Sequence, residues 1–416
     1  MNKNTAPLTK NTAPLIKNTT PLIKGTTRLD GHILTPHGFV RGTIEFDAND
    51  ASDASDANTT SNAIRGGAIV NIAGEAVSAA AVQDSTLPII LPGFIDLHVH
   101  GGGGRDMMEG GDAALSITQK HAQHGTTSLL ATTMTAPMDD LKTAFEGLAP
   151  FYRHKHQHAA RLLGIHLEGP YINAGKLGAQ PDFARPVAVA ELKQLNDIAP
   201  IRLITLAPEV PGNMELIESL CAAGYIVQLG HTAGSYEDGV AAMARGAKGF
   251  THLFNAMTGM HHRKPGMAGA ALAHAEYAEI IPDMLHVHPG AIKVALRSIP
   301  RLFCVTDSTS ATGMPDGEYR LGRNTVMKCL GGVRLADGTL AGSTLTMDQA
   351  LRNLVNVLGL DLAEASQRVS THAADYLQLT DRGRLIPGAW ADLVVLNRDL
   401  MLSAVYVEGV AVADIA

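Results

Sequence analysis

The chain has 416 residues, too many for one small core and enough for a barrel of about 250 residues with a smaller companion unit. It is 45% hydrophobic and 18% charged with a formal net charge of −7, which gives neither the basic surface a nucleic acid requires nor a polybasic patch for an anionic membrane. Cys221, Cys304 and Cys329 form no C-x-x-C pair, no apolar run approaches about 18 residues and no secretory h-region opens the sequence, so a reducing cytoplasm is the expected compartment.

The first residues are a heptapeptide repeat, NTAPLTK, NTAPLIK, NTTPLIK. The period suggests a coiled coil, but each copy carries a proline (Pro7, Pro14, Pro21) that removes a helical hydrogen bond and clashes with the preceding turn. A disordered tail over 1–27 is expected. Strand-like segments follow near 38–46 and 66–73. Between them, DANDASDASDANTTSN (47–62) has no apolar residue larger than Ala. It lacks the spacing and terminal Glu of a calcium loop and reads as a solvated hairpin insertion.

From residue 88 onward, β-branched runs alternate with amphipathic segments of helical length. The strand candidates are 90–97, 126–133, 161–167, 201–207, 225–230, 248–253, 278–282 and 302–306, with helices such as 113–124, 188–199, 213–223 and 236–246 between them. Eight such units predict an α/β fold, a (β/α)8 TIM-type barrel over 90–380. Strand patterning returns in GAWADLVVLNRDL (388–400) and AVYVEGVAV (404–412). These late strands resemble the early ones, so a small β-sandwich domain built from 28–89 and 381–416 is expected.

Polar residues collect at the predicted strand ends: His98 and His100 on the first, Glu168 on the third, His231 on the fifth, His252 on the sixth and Asp307 on the eighth. In a barrel of this kind that rim is the catalytic face. A lone histidine ending a buried strand is usually a hydrogen-bonded core residue, but several converging on one rim point to chemistry. Glu168, His231 and His252 form the donor set expected for zinc or a neighbouring divalent metal, with a position left for water. Asp307 is the natural general acid/base beside it; its alternative role is a helix cap in DSTSATG. His98 and His100 point the same way from one strand and read as ligands of a second metal.

The motifs carry a resemblance over residues 66–412. LPGFIDLHVHG and GRLIPGAWADLVVL are similar to the amidohydrolase superfamily. GIHLEGPYIN, LGHTAGSYED, THLFNAMTGMHHRKPGMAG, HVHPG, VTDSTSATGMPDGEY and GTLAGSTLTMDQALRNLV resemble the N-acetylhexosamine-6-phosphate deacetylases. The resemblance implies hydrolysis of a 2-acetamido sugar 6-phosphate to acetate and the amino sugar phosphate, in amino-sugar catabolism. It implies that Glu168, His231 and His252 hold the principal metal and that Asp307 activates water and protonates the departing amine. Substrate contacts are implied at Ala179 and Gln180, at Asn255 and Ala256, at Asp283, Met284, Leu285 and His286, and at Leu340, Ala341 and Gly342. His286 and Arg263 would hold the phosphate, with Arg263 reaching the neighbouring subunit's site in a homodimer.

Two departures stand out. Gln180 replaces a family histidine and cannot become cationic. No lysine ends the fourth strand, RLITLAPE, so Glu168 is the candidate bridge between two metals. MTGMHHRKPGM, HVHPG and GMPDGEYRLG lean slightly to the N-acetylgalactosamine branch, with N-acetylglucosamine 6-phosphate as the alternative substrate. Two further readings are an amidohydrolase acting on a cyclic amide or N-acyl amino acid and a non-catalytic binding protein, which would be expected to have lost Asp307 or a ligand.

Overall fold

The computed structural model describes residues 25–48 and 66–415. The heptapeptide repeat and most of the 47–62 insertion lie outside the described residues. Strands β1 (Thr26–Thr35) and β2 (Gly38–Asp47) form an antiparallel hairpin that pairs Leu34 with Phe39. Its turn closes at Gly38, whose φ of +109° disfavours other residues. β1 begins inside the stretch expected to be tail and was not anticipated, because Arg28, Asp30 and Gly31 interrupt its apolar period. β3 (Ile69–Ala76) pairs antiparallel with β2, and β4 (Ile89–Pro92) pairs parallel with β1.

The apolar run at 90–97, expected to be one strand, is divided at Gly93. Its first half is β4, and its second half begins β5 (Phe94–Val99) in a different sheet. Gly93 donates its N–H to Asp392 O (2.9 Å), and a Cβ there would lie 2.3 Å from the Thr127 side chain. Both halves are buried, so hydrophobicity alone could not reveal the change of sheet.

A short ribbon follows, β6 (Gly101–Gly102) with β7 (Arg105–Asp106). Then come β8 (Thr126–Thr133), β9 (Arg161–Glu168), β10 (Ile201–Leu206), β11 (Ile226–Leu229) and β12 (Gly249–Phe250). With β5 they make a six-stranded parallel sheet in the order β5-β8-β9-β10-β11-β12. β13 (Tyr277–Ile280) and β14 (Arg301–Cys304) form a parallel pair. The sheet curls: Leu253 N donates to Glu279 O (2.9 Å) at one edge, and Asp307 N donates to His98 O (2.9 Å) at the other. Helices lie between successive strands; Gly266–His274 buries the continuous run Met267–Ala271, while most of the others bury one stripe. Asp112–Gln123, for example, turns Ala113, Ala114, Ile117, His121 and Ala122 inward. This is a curled parallel sheet of TIM type with a separate mixed sheet.

A three-stranded antiparallel insertion, β15 (Gly317–Leu321), β16 (Asn324–Cys329) and β17 (Gly332–Arg334), had no counterpart in the sequence reading. After three further helices, β18 (Leu393–Leu396), β19 (Leu402–Val407) and β20 (Val410–Ala411) rejoin the first strands. One seven-stranded sheet results, ordered β20-β19-β18-β4-β1-β2-β3, around Ile33, Ile44, Phe46, Ile90, Leu393 and Val395. Ile69 N donates to Ala389 O (2.8 Å), so the sheet bends back on itself. Among the described residues no helix is long and apolar enough to cross a membrane.

Arg382 ties this sheet to the larger one. Its buried guanidinium donates to the carboxylates of Asp392 and Glu408, lies 5.1 Å over the Trp390 ring and reaches Ser128 Oγ on β8 (3.4 Å). Lys155 Nζ stands 3.3 Å from Glu408 Oε2. Arg382→Met leaves two carboxylates buried without their main counter-ion, and a loss of about 3–5 kcal/mol is expected from urea unfolding. An unchanged midpoint would show that the network is dispensable.

Candidate active site

The alternation of β5 places Asp96 and His98 on one face, and His100 follows just beyond the strand end with its Nε2 3.2 Å from His98 Nε2. Glu168 is the last residue of β9, while His231 and His252 stand just beyond β11 and β12 and Asp307 just beyond β14. His231, His252 and Asp307 have φ values of +47°, +29° and +50°, so three functional candidates occupy left-handed backbone that only the surrounding structure can enforce.

Glu168 is the centre. Its Oε1 lies 3.1 Å from both His231 Nε2 and His252 Nε2, and its Oε2 lies 3.1 Å from His100 Nε2 and 3.4 Å from His98 Nε2. One carboxylate thus faces two imidazole pairs. Asp307 Oδ1 stands 3.3 Å from His100 Nε2 and 3.5 Å from His98 Nε2. The ring orientations are fixed from behind. His231 Nδ1 donates to Lys176 O (2.8 Å) and His98 Nδ1 to Glu279 Oε2 (3.0 Å), so each presents Nε2 to the cluster.

The electrostatics match this geometry. Burial opposes ionisation of every group, yet the charge of His98 and the hydrogen bond from His100 bring Asp307 down to about 2, and His98, His100 and His231 hold Glu168 well below the usual carboxylate range. Conversely, Glu168 and Asp307 lift His100 to about 9 despite its burial, and with Glu279 they hold His98 well above the usual imidazole range. Three buried carboxylates therefore call for compensating positive charge among these imidazoles. Protons on His98 and His100 would supply it, and a divalent cation among the Nε2 atoms would supply it equally.

Among the described residues, His98–His100–Glu168 and Glu168–His231–His252 each bring three donor atoms within 4.8 Å of one another. Both sets fit a divalent metal in donor chemistry and spacing. A third set, His98–His166–Glu279, meets the same distance criterion but is a hydrogen-bonded support. His166 Nδ1 donates to Leu97 O (3.1 Å), its Nε2 accepts from Thr205 Oγ1 (2.8 Å), and burial lowers its pKa to about 3.

The cluster forms the floor of a cavity of about 340 Å³. Of the expected substrate contacts, Ala179, Gln180, Asn255, Ala256, His286, Leu340 and Gly342 line it. Gly342 has φ +63°, and a Cβ there would lie 2.8 Å from Asp307 O, so the wall beside Asp307 requires glycine. Asp283 sits behind the wall: its Oδ2 accepts from His286 Nδ1 (2.6 Å). Burial disfavours charge on both, but this pairing raises the His286 pKa and lowers that of Asp283. Met284 packs against the main core, Leu285 faces solvent and Ala341 is buried in the cluster with Leu321 and Val333. Arg263 is exposed and lines a separate depression with Tyr236, Thr258 and Pro265.

The model of the amidohydrolase family matches residues 89–412. The chain belongs to the amidohydrolase family. It is 39% identical over 320 residues to the N-acetylglucosamine-6-phosphate deacetylase of Lysinibacillus sphaericus, covering 75% of this chain and 82% of that one. It is 38% identical over 336 residues to the N-acetylgalactosamine-6-phosphate deacetylase of Escherichia coli O157:H7, covering 79% and 89%. Among solved structures, a mutant N-acetyl-D-glucosamine-6-phosphate deacetylase of Mycobacterium smegmatis in complex with N-acetyl-D-glucosamine-6-phosphate superposes with a TM-score of 0.81 at 31% identity, covering 93% and 99%.

The amidohydrolase site also uses residues that the sequence reading passed over. Glu279 Oε2 meets both His98 Nδ1 and the backbone N–H of His252 (3.1 Å), tying the imidazole of one pair to the backbone that carries the other. Glu209, beyond β10, accepts from Asn173 Nδ2 (2.9 Å), Thr232 Oγ1 (2.5 Å) and Ala233 N (2.6 Å), bracing the turn that carries His231. Asp96 accepts from Thr306 Oγ1 (2.6 Å), and burial pushes its pKa up to about 7. A signal existed for three of the supporting residues: Asp96 and His166 share a strand face with recognised site residues, and Glu279 is a charge inside an apolar strand run.

Proposed function

We propose that this amidohydrolase removes the acetyl group from an N-acetylhexosamine 6-phosphate. The observation that carries the reading is Glu168 set between two imidazole pairs, with Asp307 beside them, on the floor of a cavity that also presents His286. Cyclic-amide hydrolysis and a non-catalytic role have no comparable support: the relatives named above are deacetylases, and both candidate ligand sets and Asp307 are retained.

In this reading Glu168, His231 and His252 hold a divalent metal, with zinc the first candidate for their nitrogen and oxygen donors, and His98 and His100 with Glu168 hold a second. When bound, the metal acidifies water and polarises the acetyl carbonyl. Asp307 takes the water proton as the oxygen adds to the acyl carbon, then delivers it to the sugar nitrogen as the C–N bond breaks. Its depressed pKa keeps it ready to accept. Asn255, Ala256, Leu340 and Gly342 shape the sugar's surroundings. His286, whose pKa Asp283 raises, meets the phosphate.

Acetate release should be measured with both N-acetylhexosamine 6-phosphates and their unphosphorylated forms. Turnover confined to the phosphorylated sugars is expected, and no release from either phosphate would refute the reading. The motif phrases lean to the galacto sugar, whereas the two relatives match at 39% and 38%, so the kcat/KM ratio decides the epimer.

A homodimer in which Arg263 reaches the neighbouring cavity belongs to the same proposal, in keeping with its exposed position away from its own cavity. Arg263→Ala should raise KM about 10–100-fold, the range expected for one charge-assisted hydrogen bond, with kcat little changed. Mixing Arg263→Ala with Asp307→Asn protein should restore activity, because a mixed dimer contains one intact site. Absence of restoration after subunit exchange would place Arg263 outside the partner's site.

A further inference from the structure

Gln180, which lines the cavity and was expected to touch substrate in place of a histidine, also has its amide engaged by Glu168. The backbone N–H of Thr135 donates to Gln180 Oε1 at 2.7 Å, which fixes the amide orientation and aims Nε2 at Glu168 Oε2, 2.6 Å away. The side chain is buried, and its segment is held by Gln180 N to Leu177 O (2.9 Å) and by Asn324 Nδ2 to Ala179 O (2.8 Å). Oε2 is the oxygen that faces His98 and His100; Oε1 faces His231 and His252.

We propose that Gln180 is a positioning residue that allocates the two oxygens of Glu168 between the imidazole pairs and so makes the two metal pockets unequal, a role that rests on the metal site proposed above. A carboxylate oxygen has two lone-pair directions. Gln180 occupies one on Oε2, leaving a single weakened direction for a cation between His98 and His100. It also stops Glu168 from rotating, which keeps Oε1 aimed at His231 and His252. The second pair is the tight pocket and the first the weak one. A neutral amide suits this task because its donation to Oε2 does not vary with pH.

The test is calorimetric titration of metal-stripped, full-length protein with Zn²⁺ alone, alongside metal content after dialysis. Gln180→Met removes the donor at similar volume and should weaken the tight pocket about 10–100-fold, the usual effect of losing a hydrogen bond behind a metal ligand. Gln180→Glu keeps an acceptor for Thr135 N–H but sets an anionic donor beside Oε2. It should tighten the weak pocket at least about tenfold, or add a second zinc where the parent retains one. Parental zinc affinity at both pockets in Gln180→Met overturns the proposal, and where that variant fails to fold, parental binding by Gln180→Glu does so. No sugar enters the titration, so a protein that shows these shifts but releases no acetate refutes the deacetylase reading and leaves the allocation standing.

Discussion

Asp307→Asn is expected to lower kcat about 10²–10⁴-fold with metal content unchanged, the range associated with loss of a general acid/base. The substitution keeps shape and one acceptor oxygen, and the backbone that places residue 307 is held independently of its side chain. Asp307 N donates to His98 O (2.9 Å), and Asp307 O accepts from Ser343 N (2.7 Å). What is lost is the charge that His98 and His100 stabilise and, with it, the ability to take a proton from water and return it to the amine. Metal analysis by mass spectrometry with single-turnover acetate release separates the effects. Near-parental turnover would remove Asp307 from the mechanism, and loss of metal would make it a ligand.

Glu168→Gln should empty both pockets, reducing bound metal by more than about 100-fold in affinity, since losing a mere partner of such a ligand already costs about 10–100-fold. The amide cannot replace a carboxylate whose two oxygens each face an imidazole pair at 3.1–3.4 Å. His98→Asn/His100→Asn is the informative contrast: loss of one of two metals is expected, because Glu168, His231 and His252 remain as a complete set. Loss of all metal in that double variant would move the H-x-H pair into the principal site. Retention of both metals in Glu168→Gln would dismiss the shared carboxylate.

The legibility of the site follows from what a strand encodes. Alternation told which residues of DLHVH share a face, and the positions of Glu168, His231, His252 and Asp307 at successive strand ends brought them to one rim without any knowledge of distances. Strand ends were placed within a few residues for the same reason. Other features were not local. The change of sheet at Gly93 lies inside a continuous apolar run, and β1 was hidden by Arg28, Asp30 and Gly31, which interrupt its apolar period. The insertion β15–β17 supplies Leu321 to the cavity and holds Ala179 through Asn324, yet nothing in its short, mixed pattern announced a role.

The sequence by itself determined the residue types, their order along the chain and the rim they share, because a parallel α/β repeat places every strand's C-terminal end on the same side. It also carried the family resemblance. Only the tertiary structure decided how those residues divide. Glu168 faces two imidazole pairs, Gln180 donates to one of its carboxylate oxygens, Asp283 aligns His286, and Glu279 joins His98 to the backbone of His252. Each of these is a hydrogen bond between groups brought together by folding, between different strands or around a turn. Such partners depend on angles and distances of tenths of an ångström, which strand periodicity does not encode.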